Sequence, residues 1–276
     1  MSSTVPSETI VSARPLTQDQ ERSTTASTAR VVFAATMIAL GILGLIYGDF
    51  AVQWQRIPIA DLPGRTALAY VSAMIELLAG IGLLITSTRR IAAGVLMIFV
   101  LLWAVLLKLP AVVAVPQMEA TWLGLGEITV ILAGSWILFA ARSGDRENQR
   151  LSSLVGDRGI RHARWLFALS LPTIGLSHFI YLPQTLELVP AWLPFPTGWA
   201  YLTGAGNIAA CLGILFGVWP RLAATLEATM LSIITLLVWG PGLFTHAGDR
   251  MQWTAFVISA AIAGAAWVVA GSYRRE

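Results

Sequence analysis

The sequence is poor in charged residues, and it has almost no cysteine or histidine. Only 12% of its 276 residues are charged, against about 25% in an average soluble domain. The single cysteine, Cys211, excludes a disulfide within the chain and dithiol redox chemistry in a monomer. The three scattered histidines predict neither a metal site nor a haem site. No nucleotide-binding, catalytic-triad or zinc-protease motif is present, and the charge pattern does not indicate a nucleic-acid partner.

Apolar residues make up 56% of the chain, and its mean hydropathy is +0.71. Lipid is therefore the expected solvent for most of it. The apolar residues fall into eight runs of about 17–20 residues, which as helices match the thickness of a bilayer. A spanning strand would need only about 10 residues and would alternate polar with apolar. The eight runs are 31–48, 67–86, 91–108, 122–141, 165–181, 199–218, 222–239 and 251–270.

The distribution of basic residues predicts an orientation. If all eight runs span the membrane, fourteen of the 18 Lys and Arg residues fall on the side of the N-terminus. The positive-inside rule then places both termini in the cytoplasm, in a bacterial plasma membrane. Residues 1–29 are rich in Ser and Thr and lack a signal-peptide core, so we expect a disordered cytoplasmic tail.

The chain repeats itself at an offset of 131 residues. Apolar matches are common in such a sequence, but matches of Arg, Pro, Tyr and Trp are not. We predict an all-α integral membrane protein of eight transmembrane helices, arranged as two parallel four-helix-bundle repeats, 30–141 and 161–272. A cytoplasmic linker at 142–160 joins them. The matched pairs include Arg30 with Arg161, Tyr70 with Tyr201, Pro110 with Pro241, Trp122 with Trp253 and Trp136 with Trp267.

Glu76 is the sharpest candidate for function, because a charged carboxylate near the centre of a spanning helix is costly. It shares a helix face with Ser72, and Tyr70 precedes it on the same helix. The second copy has Asn207 in place of Glu76 and Tyr201 in place of Tyr70. Two interpretations remain open. Glu76 is a proton-carrying or ligand-binding acid, or it is a structural polar group hydrogen-bonded inside the bundle.

Three further polar residues belong with the candidate site. Lys108 ends the third run and Glu127 lies at a similar depth in the fourth, so an ion pair between them is feasible. Alternatively, Lys108 extends to the interface alone. His178, near the outer end of the fifth run, could shuttle protons or touch a quinone head group, or it only satisfies a neighbouring group.

Two more expectations concern the second copy. Glu227, in the seventh run, is expected to pair with a cytoplasmic arginine such as Arg221 or Arg164. The proline-rich segment 183–196 cannot form a continuous helix, and we predict a short interfacial helix followed by an extended piece. Residues 51–62 are its weaker counterpart in the first copy.

Several motifs of the second copy resemble the DoxX-like family of small bacterial membrane proteins. They are Gly-Leu-Ser-His-Phe at 175–179, Pro183, Val-Pro-Ala-Trp-Leu-Pro at 189–194, Tyr-Leu-Thr-Gly at 201–204 and Gly-Ile-Leu at 213–215. The resemblance is good over 161–270 and weaker over 30–140. It implies four-helix units with an acidic residue in the second helix. The first copy has this acid as Glu76, and the second copy has Asn207 at the same position. The resemblance also implies a link to thiosulfate:quinone oxidoreduction or to membrane thiol-stress complexes.

These features leave open whether the protein is an enzyme, and they favour a protein without catalytic activity of its own. The leading hypothesis is an accessory or ligand-holding subunit of a membrane redox system, with a quinone or a lipid as ligand. Its expected partners are the lipid bilayer and membrane redox subunits, and an oligomer is compatible with the sequence. The alternatives are a small proton-linked transporter or permease and a structural fused dimer. A transporter needs a continuous polar path, whereas a quinone site needs an apolar slot with one or two donors.

Overall fold

The computed structural model describes residues 18–51, 63–141 and 153–273, with side chains from residue 27 onward. Within these ranges the protein is all-α and contains no strand. The helices are α1 (Gln18–Tyr47), α2 (Arg65–Leu84), α3 (Arg89–Ala114), α4 (Glu119–Ala140), α5 (Gly156–Ile180), α6 (Leu182–Leu188), α7 (Pro196–Leu215), α8 (Pro220–Thr245) and α9 (Arg250–Ser272).

Seven of these helices are long and apolar enough to cross a membrane. The count rises to eight if α5 and α6, which bend by 92° at their junction, form one span. Each of the eight apolar runs coincides with one of these long helices, apart from at most three residues at its end. The prediction of an all-α integral membrane fold is therefore confirmed.

Two boundaries differ from those expected. α1 begins at Gln18, so residues 18–29 of the predicted disordered tail are helical, and residues 1–17 lie outside the described residues. Residues 18–29 continue the apolar part of α1, and extending an existing helix adds one hydrogen bond per residue without a new nucleation cost. α5 begins at Gly156, inside the predicted linker, of which residues 142–152 lie outside the described part.

The proline-rich segment after α5 has the predicted form. The short helix α6 ends at Leu188, two residues before Pro190, and residues 189–195 form turns and extended chain. Pro196 then starts α7, where a missing backbone donor costs nothing. Residues 52–62, which contain most of the counterpart in the first copy, lie outside the described residues.

α3 and α8 each contain a five-residue π-helical turn, at Ala104–Lys108 and at Thr235–Trp239. The two turns lie 131 residues apart, and each is followed two residues later by a proline, Pro110 or Pro241. A proline removes a backbone donor and crowds the preceding turn, and a π-turn relieves that strain locally. The same local sequence thus produces the same irregularity twice.

α4 and α9 pack against each other at the centre of the molecule. α4 also packs on α3 and α5, and α9 packs on α8 and α1. Each central helix therefore contacts the third helix of its own predicted copy and the first helix of the other. This differs from two self-contained bundles, and the reason is the run of small residues in α9, which lets it pack closely on several sides.

The first two helices of each half cross at small residues. A Cβ atom built on Gly44 would lie 2.7 Å from the Cβ of Ala73, where α1 meets α2. At the positions 131 residues later, a Cβ on Gly175 would lie 2.6 Å from the carbonyl oxygen of Gly204. These close approaches fix α2 on α1 and α7 on α5, and they set where the polar residues of α2 and α7 point.

Candidate functional site

The structure places Glu76 inside the protein, with 2% of its surface exposed, and Ser72 is buried one turn before it. Tyr70 does not join them. It is 43% exposed, and its hydroxyl lies against Gly48 at the end of α1. The shared face of Glu76 and Ser72 is thus a buried feature of α2, while Tyr70 faces outward.

In the second copy, Asn207 is buried and its Nδ2 donates to the carbonyl oxygen of Thr203 at 2.9 Å. The Oδ1 atom of Asn207 is buried without a hydrogen-bond partner among the described residues. The hydroxyl of Thr203 lies 3.2 Å from Nδ1 of His178. Tyr201 is exposed, and its ring stacks on that of Phe179 with the ring centroids 5.6 Å apart. His178 and Asn207 therefore both bond to Thr203, and Tyr201 lies outside this group.

Lys108 extends over α4, with its Nζ 3.4 Å from the Cβ position of Gly124. Glu127 lies within electrostatic range of both Lys108 and Glu119. Both carboxylate oxygens of Glu119, the first residue of α4, are buried without a hydrogen-bond partner in the described part of the chain. The structure thus brings Lys108 and Glu127 together, as expected, and adds Glu119. Only the fold reveals Glu119, because its depth depends on where α4 begins.

An apolar groove of about 540 Å³ lies between α7 and α8. Glu227 forms part of its wall and is 2% exposed. Neither of its carboxylate oxygens has a hydrogen-bond partner within the described residues. The other lining residues are almost all apolar or glycine: Gly206, Ala209, Ala210, Leu212, Gly213, Phe216, Val218, Trp219, Leu222, Ala223, Leu226 and Met230.

The predicted pairing of Glu227 with Arg221 or Arg164 is wrong. Arg164 instead donates to the hydroxyl of Ser272 at 2.9 Å and to the Ser272 carbonyl, and it lies over the ring of Tyr273. Arg221 precedes Glu227 by six residues, roughly 9 Å along the helix axis. The arginine therefore lies near the end of the helix, and the carboxyl group lies well inside it.

Small residues on α7 let α8 pack closely beside the groove. A Cβ on Gly206 would lie 3.1 Å from the sulfur of Met230, and a Cβ on Gly213 would lie 2.9 Å from the Cβ of Ala223. In this antiparallel register, Glu227 lies opposite Ala209. The corresponding residues of the first copy are Leu96 and Leu78. Comparing the copies position by position could have located the groove from the sequence.

A second, more polar cleft of about 980 Å³ adjoins the groove and shares Trp219 and Leu222 with it. Arg161, Arg164 and Arg221 line this cleft, together with Asp157, Ile160, Pro220, Thr225, Ser272 and Tyr273. Burial raises the pKa of Tyr273, and the positive charge of Arg164 over its ring opposes that rise.

A charge cluster at the opposite end of the molecule links residues that are far apart in the sequence. The carboxylate of Asp49 lies 3.0 Å from Arg65 and 3.5 Å from Arg250. Partial burial acts to raise the pKa of Asp49. The backbone N–H of Phe50 and the two guanidinium groups outweigh burial and hold that pKa below its usual range. No local sequence signal pairs Asp49 with Arg250, so the sequence did not identify this contact.

The comparisons with known proteins concern the first half of the chain. No match was found among the curated proteins or among the solved structures. Residues 25–109 match the family model described as DoxX, a segment that spans α2 and most of α1 and α3. The motifs quoted above for the resemblance lie instead in the second copy. The chain thus contains a DoxX domain at residues 25–109, within a membrane protein of several apolar helices, in agreement with the resemblance to the DoxX-like family.

Proposed function

We propose that the protein holds a lipid-like ligand, a quinone or a lipid, as an accessory subunit of a membrane redox system. The observation that supports this best is the groove between α7 and α8, with Glu227 in its wall. Its volume lies within the range of about 300–1,000 Å³ usual for ligand pockets, and such pockets are mostly apolar with a few polar groups.

Glu227 gives the groove its chemistry. An ionised carboxylate buried without a partner is costly, so the neutral acid is the form that the apolar surroundings favour. A neutral carboxyl group has one O–H donor and retains acceptor capacity. A quinone carbonyl or a lipid ester carbonyl in the groove could accept that hydrogen bond. Within the described part of the chain, no other ionisable residue lines the groove.

A proton-linked transporter is the second candidate, and the cluster of Lys108, Glu119 and Glu127 favours it. Against it, His178 contacts the hydroxyl of Thr203 and Asn207 donates to the carbonyl of Thr203, so these polar groups form local contacts and do not line a path. The close packing of α4 on α9 is what a structural fused dimer would also need. Neither alternative accounts for the groove.

We place the protein in a bacterial plasma membrane with both termini in the cytoplasm, because the positive-inside rule favours that orientation. The cleft with Arg161 and Arg221 then faces the cytoplasmic leaflet. A cysteine introduced at Gly156, in a Cys211→Ala background, should resist a membrane-impermeant maleimide in whole cells and react after permeabilisation. Labelling in intact cells would contradict this orientation.

Ligand binding can be tested on protein purified from native membranes. Mass spectrometry of the extract should find a quinone or a lipid, and a short-chain ubiquinone should bind the delipidated protein. Glu227→Gln should weaken quinone binding modestly, and Glu227→Leu should abolish it. Glu187→Gln, which changes an exposed carboxyl group on α6 outside the groove, is the control. A ligand-free preparation that binds neither quinone nor lipid would contradict the proposal.

A further inference from the structure

The groove and the cleft together have the two parts of an amphiphile site. The groove is apolar and lies along α7 and α8, and the cleft at its end is lined by three arginines and one aspartate. Trp219 and Leu222 line both, so the two spaces adjoin at these residues. Trp219 is 76% exposed, as expected for an aromatic residue at the membrane interface. We place the cleft at the depth of lipid head groups, because Trp219 and Pro220 lie at the start of the spanning helix α8.

The cleft is suited to an anion. Arg161 and Arg221 are exposed, and their guanidinium groups have no hydrogen-bond or ion-pair partner within the described residues. Arg164 is engaged with Ser272 and adds its charge to the wall. Asp157, also in the wall, offsets one positive charge and leaves a net charge of +2 for these four side chains.

The start of α8 adds backbone donors to the same cleft. Trp219 precedes the helix in a left-handed conformation, no side chain caps it, and Pro220 occupies its first turn. The first backbone N–H groups of a helix have no partner inside it, and they carry the positive end of the helix dipole. Arginine side chains and a free helix N-terminus together are a favourable environment for a phosphate group.

We infer that the ligand of this site is an anionic phospholipid, with its phosphate bound by Arg161 and Arg221 and one acyl chain along the groove. This inference rests on the proposed function, because it needs a lipid-like ligand between α7 and α8. Glu227 lies roughly 9 Å along the helix from Arg221, where it could donate to an ester carbonyl of the same lipid. Basic pockets at the ends of membrane helices recognise anionic head groups in this way.

The first copy provides matched control residues. Arg30 and Arg90 stand at the positions equivalent to Arg161 and Arg221, but Leu78 and Leu96 occupy the positions of Ala209 and Glu227. Arg90 lies over the ring of Phe139. The first copy thus keeps two of the charges and replaces both groove residues, so it should not form the same site.

Native mass spectrometry of the full-length, delipidated protein in detergent tests the inference. The probes are phosphatidylglycerol and phosphatidylcholine with identical acyl chains. The protein should prefer phosphatidylglycerol. The double variant Arg161→Gln, Arg221→Gln should lose that preference. Its affinity for phosphatidylglycerol should fall by about fivefold for each arginine removed. The double variant Arg30→Gln, Arg90→Gln should keep it. Equal effects of the two double variants would overturn the inference.

Two further measurements separate the possible outcomes. Ala209→Leu fills the groove but leaves the cleft intact, so it should reduce binding of both lipids. If inorganic phosphate binds as tightly as the lipid and Ala209→Leu has no effect, the cleft is a site for free anions and the inference is wrong. If Glu227→Leu abolishes ubiquinone binding while the substitutions of Arg161 and Arg221 leave lipid binding unchanged, the proposed function stands. Only the assignment of a phospholipid as the ligand then fails.

Discussion

Gly134 of α4 and Ala265 of α9 meet at the centre of the molecule, and they lie 131 residues apart in the sequence. A Cβ atom on Gly134 would lie 2.8 Å from the Cβ of Ala265 and 2.9 Å from its Cα. Two repeats related by a two-fold axis along the membrane normal would bring equivalent positions together in this way, and the repeat arrangement itself stays a prediction.

Gly134→Ala should lower the melting temperature of the detergent-solubilised protein, because its methyl group overlaps Ala265. Overpacking of this kind costs about 1–3 kcal/mol. Adding Ala265→Gly moves the single methyl group to the other side of the contact, so the exchanged pair should recover much of the loss. Gly94→Ala is the control, because only the ring of Phe139 lies near it. Additive effects of the two central substitutions would contradict direct contact.

Glu227→Leu should raise the melting temperature of the delipidated protein. It removes two buried oxygens that have no partner, and each unsatisfied buried polar group costs about 1–3 kcal/mol. The leucine also matches Leu96, its counterpart in the first copy. Glu187→Leu, at an exposed position on α6, should bring no such gain. A lower melting temperature for Glu227→Leu would show that the carboxyl group stabilises the fold.

Asp49 should make the stability depend on pH at the acidic end. Its pKa is lowered in the folded protein, so its contribution is fully present above the unfolded value of about 3.9 and is lost as the pH falls through the folded pKa. The Asp49 side chain is 35% exposed, so solvent screening limits this contribution to about 1 kcal/mol or less.

The measurement for Asp49 compares melting temperatures of the wild type and Asp49→Asn between neutral and strongly acidic pH. The wild type should be the more stable at neutral pH, and the difference should shrink below about pH 4. Arg250→Gln should reduce the same difference, since it removes one of the two cations. A difference that stays constant across the pH range would rule out titration of Asp49 as its source.

Asn207→Asp should destabilise the protein, although it places an acid where the first copy has Glu76. The amide of Asn207 donates to the carbonyl of Thr203, and an ionised carboxylate cannot. Leaving a buried acceptor unpaired costs about 1–3 kcal/mol, and the buried charge adds to this. Asn207→Ala removes the donor without adding a charge and should lower the melting temperature less. Equal decreases in melting temperature for Asn207→Asp and Asn207→Ala would mean that the new charge does not cause the destabilisation.

Four of the candidate polar residues followed from depth along predicted helices, and the groove with Glu227 did not. Glu76, Asn207, Lys108 and Glu127 could be identified because a polar residue inside an apolar run is rare and is identifiable from the sequence alone. Tyr70 and Tyr201 were placed with them by proximity in sequence, and both side chains are exposed. The rotation of a helix about its own axis depends on packing, which a uniformly apolar run does not specify.

The sequence by itself determined that the protein is an all-α membrane protein with eight apolar helical runs and a 131-residue period, because length and hydropathy decide what can cross a bilayer. Only the tertiary structure decided which helices share a contact. It placed α4 against α9, joined Asp49 to Arg250, and left Glu227 facing small residues of α7 in place of an arginine. These contacts depend on where small side chains let two helices approach, and hydropathy alone does not contain that information.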